Sequence, residues 1–183
     1  SNCKLLMSNK YKNIFLIGMM GCWKSTVGRK LATSLSWEFI DTDDEIEEAT
    51  EQSIVDIFYQ RGEAQFREME KAYFLEKSAQ SGYVISTGGG IILAEENRNS
   101  LKNNGITILL KASPETLSNR IKNSDVRPLL NGADDLIQLS NIWQERKEFY
   151  EESADVIIQT DRLNPAQVVD LIIKKLEEKN AND

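Results

Sequence analysis

Apolar residues gather in five short runs: Ile14–Ile17, Trp37–Ile40, Tyr83–Ser86, Ile106–Leu110 and Ala154–Gln159. Each is strand-length and most are too uniformly apolar for a half-exposed strand, as expected where a sheet is covered on both faces. Between them the apolar positions recur at helical spacing. Val27 to Leu35 follow the first run, and Ile54–Phe58 form a short helical stretch that Gly62 breaks. A longer helix starts near Glu63, carries Phe66, Met69, Tyr73 and Leu75 on one face, and ends near Gly82. Residues 95–104, about 134–151 and 165–179 read as helices, and Ser113-Pro114 is a helix start with an N-cap and proline at the first helical position. Strands alternating with helices predict an α/β fold, a five-stranded parallel sheet sandwiched by helices. No repeat, low-complexity tract or linker divides residues 13–180, which are expected to form a single domain. Residues 1–12 read as a disordered leader, with Ser1-Asn2 a tag remnant.

Three of the runs end in residues suited to chemistry. The first opens into Gly18-Met19-Met20-Gly21-Cys22-Trp23-Lys24-Ser25-Thr26, the second into Asp41-Thr42-Asp43, the third into Thr87-Gly88-Gly89-Gly90. In open parallel sheets ligands bind outside the carboxyl ends of the strands, so three such motifs at one rim mark a site. The first is strand, glycine loop and helix with Lys-Ser where a phosphate-binding P-loop requires it. Backbone N–H groups of Gly21, Cys22, Trp23, Lys24, Ser25 and Thr26 are then set to cradle phosphate at a helix N-terminus. Lys24 would reach the β- and γ-phosphates of ATP, and the Ser25 hydroxyl would take a place on Mg²⁺. The motif wants glycine where this chain has Trp23, because the backbone there approaches phosphate closely and can need positive φ. Holding a bulky residue so costs roughly 1–3 kcal/mol, or about five- to 150-fold in function.

The other two motifs are open to plainer readings. An Asp-x-Asp after a strand is equally a solvated turn or a helix N-cap, and three glycines are equally a flexible turn. The stretch Asn123 to Gly132, polar with one proline, has the makings of a mobile lid, about 122–133.

Composition narrows the classes. Of 183 residues, 40% are hydrophobic and 28% charged, ordinary for a globular chain of one domain. The net charge of −7 disfavours nucleic acid and anionic membranes as partners, so an anionic substrate needs local basic residues. No apolar run approaches the ~20 residues of a membrane span, and no segment has a signal-peptide layout, so the chain reads as cytoplasmic. Cys3 and Cys22 make no disulfide framework, and the absence of histidine removes the commonest general base and most zinc sites. No unpaired apolar helix face stands out, which favours a monomer.

Taken in order, the motifs resemble the shikimate kinase family of P-loop kinases, over Asn13 to the last helix. They are Gly18-x-x-Gly21-x-x-Lys24-Ser25-Thr26, Phe39-Ile40-Asp41-x-Asp43, Gly62-Glu63-x-x-Phe66-Arg67-x-x-Glu70, Gly88-Gly89-Gly90, Arg127-Pro128-Leu129-Leu130 and Arg146-x-x-x-Tyr150. The resemblance implies ATP-dependent phosphorylation of the 3-hydroxyl of shikimate, a step toward aromatic amino acids, on a fold with a small substrate-binding subdomain at about 42–75. It implies that Asp43 binds the reacting hydroxyl and accepts its proton, while Asp41 stands near Mg²⁺ through water. Arg67 and Arg146 would clamp the shikimate carboxylate, with Glu70 bracing Arg67 and Gly89 and Gly90 against the ring. On spacing alone both arginines read as surface residues, Arg67 beside Glu63 and Glu70. The resemblance also implies that Arg127 closes onto ATP from the lid, and that Arg120 and Pro165 flank adenine. Two alternatives stay open: another small-molecule P-loop kinase, acting for example on gluconate or a nucleoside monophosphate, and a catalytically silent kinase-fold protein, which only Trp23 supports.

Overall fold

The computed structural model describes Met7, residues 10–123 and residues 135–182. Residues 124–133 of the expected lid, Arg127 among them, therefore lie outside the described residues. Strands β1 (Asn13–Ile17), β2 (Glu38–Asp41), β3 (Tyr83–Ser86), β4 (Ile106–Lys111) and β5 (Val156–Gln159) form one sheet in the order β2-β3-β1-β4-β5, parallel throughout. The central strand β1 is buried at every position and β4 at all but its last, whereas edge strand β5 alternates buried and exposed. That contrast is what two-sided cover does to the centre of a parallel sheet and what an edge escapes.

The longer helices of the described chain are α1 (Lys24–Leu35), α2 (Thr42–Thr50), α3 (Ile54–Arg61), α4 (Glu63–Ser78), α5 (Glu95–Asn104), α6 (Pro114–Lys122), α7 (Asp135–Ser153) and α8 (Pro165–Ala181), with a single 3-10 turn at Ile91–Leu93. Sequence signals mark several of their ends. Ser113 caps α6 by accepting from Thr116 N–H with Pro114 at its first position, and Asn164 forms a reciprocal capping box with Gln167 at the start of α8. α4 ends at Ser78, short of the Gly82 expected from its pattern. The acidic run after Asp41 is a helix, α2, which the hydrophobic pattern does not announce because only Thr42 and Ile46 on it are buried.

Two apolar clusters result. The main one fills both faces of the sheet. The smaller one joins Ile46, Ile57 and Phe66 from α2, α3 and α4, with Phe58 and Phe66 rings 4.8 Å apart. This small core holds α2, α3 and α4 together as a unit of their own, within the region expected to be a subdomain. One boundary needs correction: Met7, in the segment read as a leader, is fully buried in the main core and accepts at its carbonyl from Tyr11 N–H at 3.0 Å. At the start of β1 the buried Asn13 ties four segments together. Its amide donates to the carbonyls of Ser78, Gln80 and Asn104, and its oxygen accepts from Tyr83 N–H.

Candidate active site

Strand order does the first part of assembling the site. β2, β3 and β1 are neighbours, so the three motif loops emerge side by side at one rim, with Asp41 and Leu16 both in register with Ser86. In the glycine loop Lys24 folds across the turn, and its ammonium donates to the carbonyls of Gly18 (2.7 Å) and Met19 (2.9 Å). The Cys22 thiol is buried and donates to the Met19 carbonyl, so it serves as a packed loop residue. Thr26 is exposed on the first turn of α1. Ser25 donates a short hydrogen bond to the Asp41 carboxylate and lies 3.3 Å from the Ser86 hydroxyl.

Asp41 is also the N-cap of α2, its other oxygen accepting from the N–H groups of Asp43 and Asp44. The helix-cap reading therefore holds for Asp41, and the same side chain faces Ser25 of the glycine loop. The cap aims Asp41 at Ser25 and starts the turn that carries Asp43 inward.

The second part of the assembly is the glycine turn after β3. A side chain at Gly88 would collide with Glu70 Oε2 and Asp43 Oδ1, 2.5 and 2.8 Å from where its Cβ would stand. At Gly90 it would collide with the guanidinium of Arg67. These glycines are there for room: they let two carboxylates and an arginine close on the backbone. Arg67 donates to Glu70 at 2.8 Å from the same helix, and Glu70 is buried. Gly89 is approached by Arg146 and by the hydroxyl of Tyr150, which donates to its carbonyl. Arg146 and Tyr150 stand one helical turn apart on α7, so one helix face brings both to the turn. Burial pushes the Tyr150 hydroxyl pKa up, which keeps it a donor.

Three atoms in this cluster are closed off from solvent without a hydrogen-bond partner: Asp43 Oδ1, Glu70 Oε2 and Arg67 Nε. Burial pushes the Asp43 carboxyl up from the ordinary 3.8 to about 7, reinforced by the neighbouring Glu70 and Asp41 carboxylates and opposed by Lys24 and Arg67. Burial likewise raises the Glu70 carboxyl, against the pull of Arg67. Unmet buried polar groups are costly, and their concentration beside a glycine turn marks a place that a polar ligand completes.

On the other side of the glycine loop, Arg120 on α6 donates to the Gly21 carbonyl and to the hydroxyl and carbonyl of Thr160. Thr160 opens the β5–α8 connection, which runs to Pro165 at the start of α8. The indole of Trp23 lies on Arg120, 3.5 Å from ring centroid to Cζ. Trp23 has φ 71° and ψ 23°, the left-handed conformation that the glycine of this motif tolerates freely. The indole thus packs against α6 through Arg120.

The shikimate kinase family model matches residues 20–177. A shikimate kinase of Thiobacillus denitrificans is 41% identical over 169 residues, 92% of each chain. The chain belongs to the shikimate kinase family. The solved shikimate kinase from Acinetobacter baumannii in complex with shikimate superposes with a TM-score of 0.90 at 33% identity, covering 97% of this chain and 98% of that one. A gluconokinase from Sinorhizobium meliloti, at 17% identity and TM-score 0.59, shares the fold and no more. Family membership removes the ground for a different kinase class. It also makes an ATP-using phosphotransferase the context in which Asp43, Arg67, Gly89, Gly90 and Arg146 come together. Sequence reasoning missed Thr160 as the anchor of Arg120, and it left Tyr150 without a role, although its spacing from Arg146 carried the signal.

Proposed function

We propose that the glycine-turn cluster binds shikimate and that the glycine loop delivers the γ-phosphoryl group of ATP to its 3-hydroxyl. The observation that carries this is the set of unpartnered buried atoms on Asp43, Glu70 and Arg67 around Gly88–Gly90, next to the phosphate-binding lysine. Arg67 and Arg146 hold the acid's carboxylate, Arg67 kept in place by Glu70, since a guanidinium fork pairs with a carboxylate through parallel hydrogen bonds. Gly89 and Gly90 leave the ring room against the backbone, within the acceptor region of about residues 42–75.

In the reaction the 3-oxygen forms a bond to the γ-phosphorus as the bond from phosphorus to the β,γ-bridging oxygen breaks. ADP leaves, and the hydroxyl proton passes to the Asp43 carboxylate. Positioning and charge stabilisation dominate such transfers, so Lys24 holds β- and γ-phosphate oxygens and Arg127 on the lid neutralises the moving group. The Ser25 hydroxyl and, through water, the Asp41 carboxylate would hold Mg²⁺, whose oxygen-donor preference these side-by-side groups fit and which would supply neutralisation of phosphate charge. Arg120 and Pro165 take the adenine side. No helix among the described residues is long and apolar enough to cross a membrane, and we place the enzyme in the cytoplasm as a monomer without nucleic-acid partners.

The test is ADP formation from ATP and Mg²⁺, with and without shikimate, by this chain and by Trp23→Gly. Shikimate-dependent turnover by the unaltered chain is expected, at reduced nucleotide affinity. Turnover only after Trp23→Gly would make this chain a disabled kinase. Silence of both folded proteins would refute the acceptor assignment.

A further inference from the structure

Two features of Trp23 are unexplained by its place in a phosphate-binding loop. Its backbone is held in the left-handed region, which for a bulky residue is unfavourable. Its indole leaves the loop to lie on the guanidinium of Arg120, which comes from α6, far away in sequence. The second helps offset the first, because a half-buried cation over an indole is a favourable contact.

Three of the five in-plane N–H donors of Arg120 are engaged. Nη1 donates to the Gly21 carbonyl at 3.3 Å and the Thr160 hydroxyl at 3.0 Å, and Nη2 to the Thr160 carbonyl at 3.0 Å. These bonds fix the guanidinium plane and hold its face ready for stacking. A nucleobase and an indole use an arginine plane through the same interaction. The aromatic ring that this chain stacks there belongs to its own phosphate loop.

We propose that Trp23 is an internal cap on the nucleobase platform: its indole and the base of the incoming nucleotide compete for Arg120, so Trp23 determines how much the base contributes to nucleotide affinity. This rests on the reading of Arg120 as a nucleobase contact. On the guanidinium face that the indole covers, the base gains a stack only as the indole gives one up, so the two nearly cancel. The chain then holds its nucleotide chiefly through the phosphates and discriminates weakly among bases. Replacing the indole frees the platform, and the base contributes in full.

The experiment compares the affinities of ATP and of inorganic tripolyphosphate, each with Mg²⁺ and without shikimate, by calorimetry. Relief of loop strain moves both ligands together, so the ratio of the two affinities isolates the base. In Trp23→Gly the ratio should rise by about 2- to 30-fold, the range of a cation–π contact. Trp23→Asn should raise it similarly, since asparagine tolerates the left-handed region and cannot stack as indole does. A ratio unchanged or lowered in both variants overturns the cap. Adding Arg120→Ala to Trp23→Gly should return the ratio to that of the unaltered chain. If it leaves the raised ratio in place, Arg120 is not the base contact, and the underlying reading fails with the proposal. If Arg120→Ala lowers the ratio but the Trp23 variants do not raise it, the base contact stands and the cap alone is wrong.

Discussion

The two halves of this site are finished to different degrees. On the glycine-loop side the polar groups are bonded within the protein: Lys24 to two loop carbonyls, Ser25 to Asp41, Arg120 to Gly21 and Thr160. On the glycine-turn side Asp43, Glu70 and Arg67 each keep a buried atom without a partner. A nucleotide must exchange existing hydrogen bonds for new ones, and exchange yields little net affinity. An acceptor at the glycine turn meets groups that have already lost their water, so each bond it makes removes a standing penalty. The proposed acceptor half is therefore expected to bind without nucleotide.

The sharpest break of this contrast is at the reacting oxygen. Asp43→Asn removes the proton acceptor while keeping shape, and should lower kcat by about 10²- to 10⁴-fold in a coupled ADP assay. Shikimate affinity by calorimetry should change little, because the same side chain still offers a hydrogen bond. Next in size is Gly90→Ala, which drives a methyl group into the Arg67 guanidinium. It should raise KM for shikimate by about 10- to 100-fold, the worth of charged hydrogen bonds, and leave KM for ATP alone. Equal damage to both KM values would mean that the halves are not separate.

The smallest effect is a shift in pH dependence. Asp43 must be ionised to take a proton, and in the free protein its pKa lies at about 7. Accordingly kcat/KM for shikimate, which reports the free enzyme, should rise with pH and level off above about 7. Glu70 is among the groups that hold Asp43 up, so Glu70→Gln should move the inflection to lower pH. An inflection that stays in place or moves upward would contradict this electrostatic account.

How much of this was legible in the sequence follows the range of the interactions. Runs such as Ile14–Ile17 announce the buried centre of the sheet, and Ser113-Pro114 announces a helix, because burial and capping act locally. The strand order that sets three motif loops side by side comes from pairing between distant segments. α2 escaped the hydrophobic pattern because its buried face is two residues wide. Arg67 and Glu70 read as a surface pair at helical spacing, and only the glycine turn laid over them makes Glu70 a buried brace. The oddity of Trp23 was plain, but its contact with Arg120 joins loop and helix across the fold and leaves no local trace.

The most direct test of a self-sufficient acceptor half is a calorimetric titration of shikimate into the nucleotide-free chain, Arg67→Lys and Arg120→Ala. The account predicts saturable one-to-one binding by the unaltered chain, at least about tenfold weaker in Arg67→Lys, where the planar fork is lost, and unchanged in Arg120→Ala. Binding that appears only once nucleotide is present, or that Arg120→Ala weakens as much as Arg67→Lys, would contradict it.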